Sequence, residues 1–260
     1  VIAVPSHVMR DVAHQVAAAT SPLPLVSVAK GVEPGTFLRM SEVIGQETGR
    51  RDVAALSGPS HAEEVARRLP TAVTAASANM ELATFVQEIF SCDYFRVYSN
   101  DDIVGVELSA TLKNVIAIGA GAIDGCEFGD NAKSALVTRS LVEMIRFGIA
   151  MGAHVESFFG LAGVGDLITT CFSPYGRNRA FGERIARGMS VDDALHASTG
   201  VVEGYRNTKA LHDKAQRLGI DMPVTEAIYQ VLYEEKDLRA AVLDLMTRSY
   251  KSEHSSTSKF

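Results

Sequence analysis

Over its first hundred residues the chain alternates short β-branched runs with amphipathic stretches, and no other feature limits the fold as strongly. VIAVP precedes HVMRDVAHQVAAA, LVSVAK precedes TFLRMSEVIGQE, VAALSG precedes SHAEEVARRL, TAVTAAS precedes MELATFVQEIF, and FRVYS closes the series. Strands separated by helical segments predict a mostly parallel sheet wrapped by helices, an α/β arrangement. Ligands of such sheets sit beyond the carboxyl ends of the strands. Here those ends are Pro5-Ser6-His7, Lys30-Gly31 and Ser57-Gly58-Pro59-Ser60, all rich in Gly, Pro or small polar residues.

Beyond residue 101 the apolar period shifts to about 3.6 and strand candidates vanish. Helices are expected over 103–123, 131–151, 178–188, 191–197, 203–218, 224–234 and 237–248. Ser190 is placed to cap one, Gly219 to stop another and Pro223 to start the next. The division is therefore an α/β part over 1–101 and an all-α part over 102–260. The tail KSEHSSTSKF is polar and aperiodic, which predicts disorder.

A net charge of −6 argues against a broad nucleic-acid surface, so any phosphate must be held locally. Three scattered cysteines, Cys92, Cys126 and Cys171, form neither a disulfide framework nor a zinc pattern, and fit a reducing cytoplasm. The seven histidines form no H-x-x-x-H pair, so no metal is expected. No apolar run is read as long enough to span a membrane, and the start lacks a signal-peptide pattern. VIAVP reads as a buried strand with no initiating Met, which leads one to expect chain upstream of Val1.

Two segments carry the chemistry: LSATLKNVIAIGAGAIDG at 108–125 and AGVGDLITTCFSPYGRNR at 162–179. An arbitrary lysine is a surface lysine, but Lys113 precedes VIAIGAGA, which has no polar side chain, so its helix must be buried on most faces. Burial disfavours the ammonium, and Lys30, at a strand end on the ligand side, would lower its pKa further if the two share a site. Lys113 then becomes usable as a base near neutral pH. Asp166, with Thr169 and Thr170, reads either as a helix cap with packing hydroxyls or as the partner of Lys113 and of substrate hydroxyls. Arg177, Asn178 and Arg179 follow Gly176 at a helix start, where free N–H groups and the dipole favour an anion; a solvated basic turn is the bland alternative. GAGAIDG at 119–125 misses the G-x-G-x-x-G spacing by one residue and lies inside a helical run, so its glycines are read as close helix packing. The Tyr and Phe residues are read as packing only.

VPSHVMR, AKGVEPGT, LSGPSHAEEVA, FRVYSND, GVELSATLKNVIAIGAGAIDG, NAKSALVTR, GVGDLITTC, GRNR, VVEGYRNTK and MPVTEAIYQVLYE together resemble the NAD(P)-dependent glycerol-3-phosphate dehydrogenases, especially the bacterial type, over nearly the whole chain. The resemblance implies a Rossmann-type N-terminal domain, a helical C-terminal domain and an active site between them. It implies NAD or NADP as cofactor and interconversion of sn-glycerol 3-phosphate with dihydroxyacetone phosphate, supplying glycerol 3-phosphate for phospholipid synthesis. Position by position, Lys113 resembles the family's proton-transfer lysine and Lys30 its second active-site lysine, near substrate and nicotinamide. Asp166 and Thr170 match substrate-ordering positions, Arg177 and Asn178 the phosphate-binding pair, and Gly58 and Ser60 substrate contacts. Ala62, Arg177, Val201 and Glu203 correspond to positions beside the cofactor. Gly176 stands where the family often carries Ser. Family members begin with a strand and a G-x-G-x-x-G turn, whereas this sequence opens on a later strand; roughly 60 to 80 residues are expected upstream, at about 30 per βαβ unit. The residue that selects NAD or NADP would lie there.

Two rivals stay open at the level of sequence. A related two-domain hydroxyacid-type dehydrogenase would use a lysine but would not need the GRNR clamp. A cofactor-free phosphosugar-binding or scaffold fragment is compatible with the late start, and the sequence is likewise compatible with a homodimer without giving the oligomeric state.

Overall fold

The computed structural model describes residues 1–18, 23–250 and 252–253. Most of the tail expected to be disordered, Lys251 and 254–260, lies outside the described residues. The first part runs α1 (Met9–Ala18), β1 (Leu25–Ser27), α2 (Met40–Thr48), β2 (Val53–Ser57), α3 (Ala62–Ala66), β3 (Thr71–Ala76), α4 (Met80–Phe90) and β4 (Phe95–Asn100). The rest is helical: α5 (Ile103–Gly125), α6 (Gly129–Ala150), α7 (Val155–Phe159), α8 (Asp166–Phe172), α9 (Arg177–Ala186), α10 (Val191–His196), α11 (Glu203–Leu218), α12 (Pro223–Tyr233) and α13 (Leu238–Met246). Ser190 caps α10 through the Asp193 N–H, Gly219 ends α11 in the left-handed region at φ 65°, and Pro223 opens α12, as the sequence predicts. The expected list of helices omitted α7 and α8, whose run from Val155 to Phe172 is broken by Gly160, Gly163 and Gly165 and so shows no clean period.

The sheet has the order β1-β2-β3-β4. β1 pairs with β2 and β3 with β4 in parallel, but β2 and β3 are antiparallel, a departure from the simple crossover pattern. The connection from Gly58 to Pro70 holds only the five-residue α3, too little helix for a crossover that returns the chain in parallel. The expected strand VIAVP is reduced to one parallel bridge between Ile2 and Ser27, with the Ile2 N–H on the Val26 carbonyl at 2.8 Å. The carboxyl ends of this segment, β1 and β2 therefore lie on one side of the sheet.

α5 is the axis of the helical part, and eighteen of its residues from Gly105 to Ile123 are buried. Contrary to the expectation from sequence, it is long and apolar enough to cross a membrane by length and composition, with mean hydropathy 1.4; 94% of that window is buried inside the protein, which makes it a core helix. α5 is tied to the sheet side by Glu107, whose buried carboxylate accepts from Arg39 Nη1 at 2.8 Å, the Ser41 N–H at 2.8 Å and the Ser41 hydroxyl at 2.5 Å.

The glycines of GAGAIDG are contact points, as their position in a helical run implied. A Cβ on Gly121 would lie 1.8 Å from the Arg179 carbonyl oxygen, and one on Gly182 of α9 would lie 2.0 Å from that of Ile118. α5 and α9 thus meet backbone to backbone, and this contact seats the start of α9. Gly121→Ala is expected to cost about 3 kcal/mol, because the obstacle is main chain and cannot rotate away. Gly119→Ala meets only flexible side-chain ends, Ile228 Cδ1 at 3.1 Å and Leu136 Cδ2 at 3.3 Å. It should stay within about 1 kcal/mol of the parent, helped by the better helix propensity of alanine. Urea unfolding of the two variants side by side checks this, and equal midpoints would contradict it.

Candidate active site

The strand ends, α5, α8 and the start of α9 enclose an open cleft of about 950 Å³. Its walls include Lys30, Ser60, Ala62, Lys113, Thr170, Arg177, Asn178, Val201 and Glu203. Gly58 and Asp166 contribute from just behind the surface through their bonds to the two lysines.

Lys113 lies midway along α5 and is 4% exposed. Its Nζ donates to Asp166 Oδ1 at 2.6 Å and to Thr170 Oγ1 at 2.8 Å. Lys30 Nζ donates to the other carboxylate oxygen, Oδ2, at 2.8 Å and to the Gly58 carbonyl at 2.9 Å. One carboxylate therefore serves two ammoniums. An ammonium has three N–H donors, so each lysine keeps one for a ligand. Burial is the largest influence on Lys113 and the Lys30 charge the next; together they outweigh Asp166 and lower its pKa to about 8. Burial pulls Asp166 the other way, but the two lysines outweigh it and hold the carboxyl below its ordinary value. Asp166 stays ionised, while Lys113, sharing that single negative charge with Lys30, gives up a proton readily.

Asp166 is the first residue of α8, and Thr170 stands one turn later, its hydroxyl donating to the Asp166 carbonyl at 2.7 Å. Thr169 faces away, donating to the Gly165 carbonyl at 3.1 Å. Gly58 is required by close approach: a Cβ there would lie 2.9 Å from Val73 Cα of β3. Its carbonyl also accepts the Ser60 hydroxyl at 3.0 Å, which fixes Ser60 at the cleft.

Gly176 caps α9, and Arg177 at its first position is exposed into the cleft with no hydrogen-bond or ion-pair partner among the described residues. Asn178 is locked, donating to Asn114 Oδ1 at 3.0 Å and accepting the Gly204 N–H at 2.9 Å, so α9 is pinned to both α5 and α11. Arg179 turns away to Asp124 and Glu183, each at 2.9 Å. Asn114, His61 and Tyr175 also line the cleft. Tyr175 was expected only to pack, yet it is 42% exposed and meets His61 edge-on at 5.9 Å. The position of Asn114 next to Lys113 was the available signal for that residue; nothing local marked the other two.

The floor is built from Ala3, Val4, Pro5, Val28 and Ala29, main chain and small side chains that leave space for a flat ring at the strand ends. Two ammoniums around one carboxylate, plus a free guanidinium at a helix start, gather positive charge on the α5 and α9 walls of the cleft, with Glu63 and Glu203 also among its lining. These features define a two-domain dehydrogenase that takes an anionic substrate. Family models described as the N-terminus and the C-terminus of NAD-dependent glycerol-3-phosphate dehydrogenase match residues 1–83 and 102–243. The chain is 48% identical over 261 residues to a glycerol-3-phosphate dehydrogenase [NAD(P)+] of Enterococcus faecalis, covering 99% of this chain and 77% of that protein. It is 49% identical over 257 residues to one from Geobacillus kaustophilus, covering 97% and 75%. A crystal structure of glycerol-3-phosphate dehydrogenase from Coxiella burnetii superposes with a TM-score of 0.91 at 39% identity, covering 95% of this chain and 76% of that one. The chain belongs to the NAD-dependent glycerol-3-phosphate dehydrogenase family.

Proposed function

We propose that this cleft interconverts sn-glycerol 3-phosphate and dihydroxyacetone phosphate with NAD or NADP, in the cytoplasm, as a source of glycerol 3-phosphate for phospholipid synthesis. Residues 1–101 form the nucleotide side and 102–260 the substrate side. The observation that carries the reading is the cluster of buried Lys113 and Asp166 with half-buried Lys30, and Arg177 free in the same cleft.

The nicotinamide, when bound, supplies or accepts the hydride at C2. Lys113 Nζ supplies the proton to the C2 oxygen in reduction and removes it in oxidation. Asp166 and Thr170 hold that nitrogen in place and order the substrate hydroxyl, while Lys30 offers its remaining N–H to substrate and nicotinamide. Arg177 and Asn178 take the phosphate at the head of α9, and Gly58 and Ser60 border the substrate from the sheet side. Ala62, Val201 and Glu203, with Lys30 and Arg177, border the cofactor. A guanidinium grips carboxylate and phosphate alike, so the phosphate is favoured over a hydroxyacid by the family match rather than by Arg177 alone.

The test is NADH or NADPH oxidation with dihydroxyacetone phosphate by the full-length protein, followed across the titration of Lys113 near pH 8. Reduction needs the protonated lysine, so kcat/KM for dihydroxyacetone phosphate should fall as pH rises through about 8. Oxidation of glycerol 3-phosphate needs the neutral amine and should rise over the same interval. Profiles that move together in both directions, or no turnover of either compound, would overturn the assignment.

A further inference from the structure

Glu203 opens α11 at the rim of the cleft, and both of its carboxylate oxygens are held by one residue from the other end of the chain. Oε1 accepts the Ser6 backbone N–H at 3.0 Å and Oε2 accepts the Ser6 hydroxyl at 2.6 Å. Ser6 is 2% exposed and begins the short turn Ser6–Val8 that follows the Ile2 segment. Gly31, next to Lys30, completes the seat: a Cβ there would lie 2.8 Å from Ser6 Cβ and 3.2 Å from Glu203 Oε2. The residue after the active-site lysine therefore has no side chain where the Ser6–Glu203 pair passes.

A glutamate at a cleft rim ordinarily samples several rotamers, and binding through it must first order them. Two donors from one buried residue remove that freedom, and the short hydroxyl contact is of the charge-assisted kind. The held carboxylate lines the cleft, and each of its oxygens has acceptor capacity beyond its one bond to Ser6. Being anionic and acceptor-only, it suits an O–H or N–H donor and repels phosphate. The donors of a nicotinamide riboside, its hydroxyls and carboxamide N–H, have that chemistry; the substrate phosphate does not.

We propose that Ser6 is a positioning residue for the cofactor, acting through Glu203 by fixing its carboxylate toward donor groups of the nicotinamide riboside. The inference rests on the placement of Glu203 beside the cofactor given above. Ser6→Ala keeps the backbone donor and loses the hydroxyl. In the full-length protein it should weaken NADH binding, read by fluorescence titration, about tenfold, or roughly 1.4 kcal/mol. The KM for dihydroxyacetone phosphate should stay close to the parent's, while the thermal midpoint should fall modestly because a buried bond to a charged group is lost. Glu203→Ala should weaken NADH more, and adding Ser6→Ala to it should cause no further loss, since a residue that acts only through another is silent once that other is gone. Additive losses in the double variant would overturn the proposal, as would an unchanged NADH Kd in Ser6→Ala, with or without a lowered melting temperature. If the unmutated protein fails to bind NADH or NADPH, the placement of Glu203 itself fails, and that outcome is distinct from either of these.

Discussion

Lys113→Ala lowers kcat by about two orders of magnitude or more and leaves cofactor affinity nearly unchanged, as expected for a group that moves the proton at the C2 oxygen. The variant should still fold. Removing a partner from a buried ion pair is severe when the remaining charge is stranded, but Asp166 keeps Lys30 at 2.8 Å through its second oxygen. The carboxylate then faces one ammonium, and the loss is chemical rather than structural. Single-turnover measurements with saturating substrate separate the two. A variant whose kcat stays within about threefold of the parent's would remove Lys113 from the mechanism.

The features legible in the sequence and those that were not differ in the range of the interactions involved. The alternation of residues 1–100 gave the strand ends, and those ends are the sheet side of the cleft because parallel strands present them together. Lys113 stood out because an ammonium beside VIAIGAGA cannot be solvated, and its 4% exposure follows from that. Its partnership with Asp166, fifty-three positions away, was one of two readings of a helix-start aspartate, and only the packing of α8 on α5 decides between them. The reversal of β3 was hidden because strand direction depends on the whole connection from Gly58 to Pro70 and not on any local pattern. VIAVP reads as a full strand by composition, yet only Ile2 reaches pairing geometry beside Ser27. That α5 reaches membrane length by composition was missed for a related reason: Glu107, Lys113 and Asp124 punctuate the run, and they are absorbed by specific partners that sequence does not disclose. His61 and Tyr175 carried no signal at all, since an aromatic at a cleft mouth and one in a core have the same local sequence.

Arg177→Ala should raise the KM for dihydroxyacetone phosphate by about 100-fold, the range expected when a bidentate charged contact to phosphate is lost. The preference for phosphorylated over unphosphorylated substrate should weaken sharply with it. The effect is separable from collapse of the site because nothing in the fold leans on this guanidinium. α9 is anchored by Asn178 to Asn114 and Gly204, by Arg179 to Asp124, and by the Gly121 and Gly182 contacts with α5. The melting temperature should therefore hold while binding fails. Some phosphate affinity should persist, since the free N–H groups at the start of α9 and Asn178 remain. kcat should also fall, though less than for Lys113→Ala, because the phosphate grip helps set C2 in place and binding energy remote from the reacting carbon then no longer contributes to rate. Arg177→Lys separates charge from geometry: a point charge restores attraction but not the planar fork, so KM should recover only in part. Equal turnover of glycerol and glycerol 3-phosphate by the unmutated protein would sink the phosphate assignment, because a free guanidinium at a helix start would then have no anion to select.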